Sequence, residues 1–326
     1  MIVRRLTFGV ISGVAFAQAI TAQGAGRRTT LRIGLVTTAA ATTLPSTASV
    51  ARGVRWGAAE AKQTAVLFGD DVELYEAEAG DNGAFDAARQ LSSARKVQVL
   101  IGSSASDADA LSRFAESNHI IFVNAASRSP ELRAACRRYT FHIEASDSMY
   151  ANAARAAGRW PVIMSAGASG RGVGSDRDSV ALWGPSLQRF GASQLNDRYR
   201  DKYHLPMDGF AWAGWAAVKI ASEAALRARS TAPTKLLAYL ESPATQFDGH
   251  KGWPLTFRIP DHQLRQPLYV ATLAGAGGYH YRDVPELRDD SSLGAQGNPG
   301  PPTSNQTLLD SLIASPHAPA CRWRGK

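Results

Sequence analysis

An α/β fold built on a parallel, doubly wound sheet is predicted by two observations. Short apolar runs rich in branched residues alternate with amphipathic helical stretches from Leu31 to Ala125, the β-α-β-α order that parallel sheets require. The runs "LRIGLVTT", "VQVLIG" and "HIIFVNA" are also apolar on both faces, as strands covered by helices on each side must be.

The elements follow in order. "LRIGLVTT" is the first strand, and "SVARGVRWGAAEAKQ" the first helix, with Val50, Val54 and Ala61 on one face. "DVELYEAEA" alternates as a strand, and "NGAFDAARQLSSARK" forms a helix that aligns Phe85, Ala88 and Leu91. "VQVLIG", the helix "DADALSRFAESN" and the strand "HIIFVNA" complete the lobe. Beyond Ile143 the regularity weakens. Helices are expected in "DSMYANAARAAGRW", "ALWGPSLQRFGASQLNDRYRDKY", "DGFAWAGWAAVKIASEAALRARS" and "APTKLLAYLES", with "PVIMS" a short strand. Near the end, "PLTFRI" and "PLYVATL" flank "PDHQLRQ", whose Pro260 and Asp261 read as the turn of a β-hairpin. The tail after Asp289 is rich in Pro, Gly and Ser and reads as disordered, interrupted by a weak helix, "TLLDSLIAS".

The N-terminus reads as a secretory signal, residues 1–25: Arg4 and Arg5, a short apolar run, then the small-residue site Ala17-Gln18-Ala19. Cleavage after Ala19, Ala22 or Ala25 fits the pattern equally, and the expected location is the periplasm. About 300 residues then remain, enough for two modest domains. The two cysteines, Cys136 and Cys321, are either a disulfide, as export permits, or a buried thiol and a loose tail thiol.

Charge and motifs exclude several classes. Lys and Arg number 36 against 28 Asp and Glu, but the cations are scattered, without the basic, aromatic-interleaved block of a nucleic-acid binder. "SAGASGRG" misses the Gly-x-Ser-x-Gly nucleophile elbow, because Arg171 stands where the last glycine belongs. The same loop lacks G-x-G-x-x-G and the Gly-Lys-Ser/Thr of a P-loop. The histidines are dispersed, and the acidic pairs lack calcium-loop spacing. No enzyme, cofactor or metal is expected.

In a doubly wound lobe, ligands lie at the carboxyl ends of the strands. The third strand ends in "IGSSASDADA", offering Ser103 and Ser104, and the fourth in "NAASRSPEL", offering Ala125, Ala126 and Ser127 with Arg128 beside them. Small residues admit a ligand to the backbone, while hydroxyls and N–H groups at a helix start favour an anion. The same serines serve equally as helix caps.

Taken in order, the export signal, "LRIGLVTT", "GVRWGAAEA", "VLIGSSASDADA", "FVNAASRSPEL" and the hairpin stretch "FDGHKGWPLTF" resemble the type I periplasmic binding proteins of ABC importers, the branched-chain amino-acid group in particular. "KGWPLTFRIPDHQLRQPLYV" and "RFGASQLNDRYRDKYHLPMDGFAWAGWAAVKIASEA" are similar to the subfamily associated with pyrroloquinoline-quinone (PQQ)-dependent alcohol dehydrogenase systems. The resemblance implies a type I periplasmic binding protein fold, two doubly wound lobes around a cleft. Residues 30–142 plus about 197–242 would form the first lobe, and 143–196 plus about 243–282 the second, with 283–326 a mostly disordered tail. The glycine-rich interval between Trp160 and Trp183 stands where the family carries further βα units, so the second lobe is expected to be shortened. The resemblance further implies that the hairpin belongs to the second lobe's sheet, and that Ser103, Ser104, Ala125, Ala126 and Ser127 form the first-lobe ligand wall. It implies a monomer that binds a small polar ligand and delivers it to a membrane permease. The alternative it leaves is a non-transporting binding or sensor module beside a quinoprotein alcohol-oxidation system.

Overall fold

The computed structural model describes residues 28–38, 44–80, 83–156, 178–273, 279–283, 305–313 and 321. The expected signal sequence and the expected strand "PVIMS" lie outside them. The first five strands are β1 (Thr30–Thr38), β2 (Asp71–Ala79), β3 (Val99–Gly102), β4 (Ile121–Asn124) and β5 (Thr140–His142), paired in parallel in the order β2-β1-β3-β4-β5. β3 and β4 are buried at every position, which is why they read as unbroken apolar runs. The helices between them are α1 (Pro45–Leu67), α2 (Gly83–Arg95), α3 (Ala108–Asn118) and the short α4 (Pro130–Ala134). On α2 the buried face is Ala84, Ala87, Ala88 and Leu91. Phe85 is instead 44% exposed, its ring edge-on to Phe114 with centroids 5.1 Å apart.

Further on come α5 (Asp147–Ala156), β6 (Asp178–Ala181), α6 (Ala192–Tyr203), α7 (Gly209–Ala228) and α8 (Pro233–Leu240). The helix expected from Ala181 therefore begins only at Ala192. Gly184-Pro185 and Gly191, at φ +79°, hold the preceding residues out of helical geometry. α7 packs along α1, and the two backbones touch through glycine. A Cβ on Gly53 would lie 2.0 Å from the Ala211 carbonyl oxygen, and one on Gly214 would lie 2.3 Å from that of Val50. Asp208 caps α7 by accepting from the Ala211 amide at 2.8 Å, and it also accepts from the Ser49 hydroxyl of α1 at 2.6 Å.

The late strands correct the hairpin reading. β7 (Phe247–Asp248), β8 (Pro254–Phe257) and β9 (Leu264–Arg265) form one small antiparallel sheet. "PLYVATL" supplies β10 (Tyr269–Leu273), which pairs with β6 and with β11 (Tyr279–Asp283) in a separate sheet. β8 thus turns back onto Leu264-Arg265, and Pro267, which has no N–H, cannot extend that ladder. β10, the second half of the expected hairpin, shares its sheet with β6, from the range expected for the second lobe. The turn between β8 and β9 touches the edge strand of the five-stranded sheet: His142 donates its backbone N–H to the His262 carbonyl at 3.0 Å, and Gln263 bridges His142 in parallel. The ring of His262, fully buried, stacks on Phe141 at 4.2 Å. Such a contact covers part of the sheet edge at β5.

Part of the tail is ordered. The stretch "TLLDSLIAS" contributes α9 (Asn305–Ile313), which buries Leu309, Leu312 and Ile313 and packs on α5, where Asn152 donates to the Leu312 carbonyl at 2.8 Å. Arg265 of β9 pairs with Asp310 at 2.7 Å. Cys136 and Cys321 are joined by a disulfide, with Cα atoms 5.3 Å apart.

Candidate ligand-binding cleft

In the order β2-β1-β3-β4-β5 the connections diverge between β1 and β3, so the loops leaving those strands part and open a crevice at their carboxyl ends. An open cavity of about 790 Å³ lies there. Its walls come from the start of α1 (Ser46, Thr47), the loop after β3 (Ser103, Ala105, Ser106), the loop after β4 (Ala126 to Glu131), Asp147 and Phe210. Of the residues the sequence proposes, Ser103, Ala126 and Ser127 line it, while Ser104 and Ala125 are not among the lining residues. Ser104 pairs with the Ser106 hydroxyl at 2.8 Å, and Ala125 is fully buried.

The backbone amides expected to face an anion are already engaged. The Ser103 N–H donates to the Val36 carbonyl at 3.0 Å. Asn124 Oδ1 accepts from the N–H groups of Ser127 at 2.8 Å and Ala126 at 3.3 Å, while its Nδ2 donates to the Ser127 carbonyl at 2.7 Å. Asn124 Nδ2 also lies 3.1 Å from His142 Nδ1. Burial, then the charges of Arg133 and His262, holds His142 well below its ordinary range, so that ring is neutral and its Nδ1 can accept. The loop after β4 is thus folded onto its own asparagine.

Capping and cleft roles separate among the serines. Ser129 caps α4, accepting from the Leu132 amide at 3.1 Å and donating to Glu131 at 2.7 Å. The Ser103 hydroxyl is buried and makes no hydrogen bond among the described residues.

Two arginines leave this loop with opposite fates. Arg133 is saturated: it donates to Gln263 Oε1 at 2.7 Å and to the carbonyls of Ser129 at 2.9 Å, Glu144 at 2.6 Å and Ser127 at 3.2 Å. Burial lowers even its guanidinium to about 10, and it remains charged at neutral pH. Arg128 lines the cavity, and its Nε and Nη2 are buried without a hydrogen bond among the described residues. Its guanidinium carbon lies 3.9 Å from the centre of the Tyr150 ring. Asp147 Oδ1 approaches Nε to 3.2 Å as an ion-pair contact, from a side chain that is itself half exposed.

Behind Tyr150 sits a buried acid. The tyrosine hydroxyl donates to Glu144 Oε1 at 2.8 Å, and Glu144 Oε2 is buried without a partner among the described residues. Burial pushes this carboxyl up to about 7, against the pull of the Tyr150 hydrogen bond and the charges of Arg128, Arg133 and Lys251. Among the described residues no group of His, Cys, Asp and Glu is arranged to hold a metal ion. What the site offers chemically is a polar wall, with a Ser103 hydroxyl that makes no hydrogen bond among the described residues and an Arg128 guanidinium held by Asp147 and the Tyr150 ring. Sequence reasoning had no means of placing Thr47, Asp147 or Phe210 here. The general signal available was that the first βα loop of a doubly wound lobe also faces the crevice.

The fold is that of the type I periplasmic binding proteins. A family model described as "Periplasmic binding protein" matches residues 30–176. Among solved structures, a leucine-binding protein from Thermotoga maritima shares 14% identity, with 77% of this chain and 97% of that one covered, at a TM-score of 0.60. An ABC transporter solute-binding protein from R. palustris, in complex with benzoate, shares 15% over 78% and 96%, at 0.63. The branched-chain amino-acid transporter substrate-binding protein LivJ from Streptococcus pneumoniae, in complex with isoleucine, shares 14% over 78% and 99%, at 0.60. No curated protein matches the sequence.

Proposed function

We propose that this chain is the exported solute-binding component of an ABC importer, holding a small polar ligand at the crevice and handing it to a membrane permease. The observation that carries the reading is the buried hydroxyl of Ser103, without a hydrogen-bond partner among the described residues, on the wall of an open cavity at the switch point of the sheet. An unsatisfied buried polar group costs about 1–3 kcal/mol, and a ligand supplying the missing partner recovers that cost on binding. Relatives of the same fold include a protein in complex with isoleucine and one in complex with benzoate. In this reading Ser103, Ala126 and Ser127 contact the solute, while Ser104 and Ala125 shape the loops behind. The signal is removed on export and the protein works in the periplasm as a monomer. The narrower kinship, with the subfamily accompanying PQQ-dependent alcohol dehydrogenases, rests on the sequence stretches around α7 and the hairpin.

Small-angle X-ray scattering during ligand titration tests the transport role. A solute bridging two lobes shifts the equilibrium toward a closed form, so the radius of gyration should shrink as the site fills. Saturable binding with no compaction would leave a binding module and remove the importer role.

A further inference from the structure

We infer that the tip formed by Val66, Leu67 and Phe68 at the end of α1 is a contact surface for an anionic phospholipid bilayer. The tip lies at the amino ends of β1, β2 and β3, opposite the crevice at their carboxyl ends. A molecule resting on lipid by this tip keeps its crevice open to solution.

Three consecutive apolar side chains stand in solvent there, with Val66 57%, Leu67 83% and Phe68 69% exposed. Exposed apolar residues scattered singly need no explanation, whereas adjacent ones mark contact sites. The backbone of the tip is closed on itself. The Phe68 and Asp70 amides donate to the Ala65 carbonyl at 2.9 and 3.0 Å, and the Gly69 amide donates to the Val66 carbonyl at 3.1 Å. An extended peptide adding to a sheet edge needs unpaired backbone groups, and these are spent. A folded partner needs roughly 20–30 residues on each side, far more than the tip supplies. A lipid interior asks only for apolar side chains.

The charges around the tip fit an anionic surface. Arg28 and Lys62, both exposed, pair with Asp71 at 3.6 and 2.8 Å, so two cations share one carboxylate. The exposed Lys96 follows α2 on the way into β3, at the same end. α1 and α7 start side by side at Ser49 and Asp208 and meet again at Gly57 and Trp215. The exposed Arg229, at the end of α7, therefore comes to that end too. Each cation near an anionic bilayer strengthens binding roughly fivefold. The course of the chain points the same way. Thr29 is tied to Asp70 and Asp71 as it enters β1 beside the tip, and the segment before it carries the apolar run of the expected export signal. In the export reading, on which this last step rests, that run is in the bilayer until cleavage. The tip is then the part of the folded protein presented to lipid first.

Vesicle co-sedimentation of the exported protein, its N-terminus read from the intact mass, tests this. Vesicles of phosphatidylglycerol and phosphatidylethanolamine should bind it, less so as salt rises, and vesicles of phosphatidylcholine alone should bind it about tenfold more weakly. Leu67→Ser/Phe68→Ser should keep its melting temperature and lose about tenfold or more in vesicle affinity. Lys96→Gln/Arg229→Gln should lose about tenfold on the anionic vesicles only. Equal binding to both vesicle types, or binding that Leu67→Ser/Phe68→Ser retains, would overturn the inference. So would a dimer in sedimentation velocity that the same variant dissolves, since the tip would then join two copies. Hydrogen exchange on the wild-type protein decides the matter even where a variant fails to fold: anionic vesicles should slow exchange at residues 66–70 and leave the loop after β4 unchanged, and slowing confined to other regions would refute the contact. An uncleaved signal in the intact mass would sink the export reading, while the tip would still be judged by its variant. Solute binding at the crevice is untouched by any of these results.

Discussion

Arg128 lies 3.9 Å above the ring of Tyr150, whose hydroxyl reaches back 2.8 Å to the buried carboxyl of Glu144. One aromatic ring thus joins a cation on the cavity wall to an acid in the interior. The cation and the acid respond to each other, since the Arg128 charge is among those that pull the Glu144 carboxyl down.

Glu144 sets a pH dependence whose sign is fixed. Its carboxyl is raised from 4.5 to about 7 in the folded protein. Between those values the folded state holds a proton that the unfolded chain has released, so stability falls as pH rises through the window. The effect is on the order of 3 kcal/mol. Melting temperature should therefore decline from pH 5 to pH 7, and Glu144→Gln should flatten the decline. Superimposable profiles for variant and wild type would refute it. Glu241 acts at lower pH and in the opposite sense. Burial raises it, but hydrogen bonds and charges from Arg138 and His262 outweigh that and hold it at about 2. Its contribution is present above 4.5 and is lost as the pH falls toward 2.

Ser103→Ala and Ser129→Ala should separate binding from capping. Ser103→Ala removes a hydroxyl that has no hydrogen-bond partner among the described residues, so stability should hold while ligand affinity falls about five- to 150-fold. Ser129→Ala removes the cap of α4 and should cost about 1 kcal/mol of stability, with a smaller loss of affinity than Ser103→Ala because its hydroxyl, though on the cavity wall, is engaged by Leu132 and Glu131. The test is paired calorimetric titration and thermal melting. Loss of stability in Ser103→Ala with unchanged affinity would make that serine structural.

Gly53→Ala should destabilise the protein by about 1–3 kcal/mol. Its Cβ would lie 2.0 Å from the Ala211 carbonyl oxygen, so α1 and α7 would have to separate. Urea unfolding measures the loss, and a variant as stable as the wild type would show that the two helices do not meet so closely.

The Cys136–Cys321 bond spans a sequence separation of 185. Closing so long a loop stabilises by up to about 5 kcal/mol in the chain-entropy picture. Reduction, or Cys321→Ser, should lower the melting temperature and expose α9 to proteolysis. Two freely alkylated thiols in unreduced native protein would contradict the bond.

Much of the first sheet was legible because its strands are covered on both faces, and a continuous apolar run such as "VQVLIG" has few other readings. α1 and α7 were legible from their spacing. The hairpin partner was not, since two apolar runs compete for β8 and Pro267 decides between them only once the register is known. The cleft was legible as loops and less so as residues. Ser103 and Ser104 are adjacent and identical, yet Ser103 lines the cavity while Ser104 pairs with Ser106. The difference between Arg128 and Arg133 was also out of reach. It depends on Gln263, a residue separated from Arg133 by 130 positions, and on carbonyls that no local pattern reveals.

The central claim, that the cavity holds a small solute, is tested most directly by native mass spectrometry of protein exported by its own cells and purified without denaturation. The account predicts a chain beginning between Ile20 and Arg27 that carries one small molecule in excess of the polypeptide mass. That excess should disappear on denaturation and in the Ser103→Ala variant. A wild-type protein that shows only its bare polypeptide mass, or an excess that the variant retains, would contradict it.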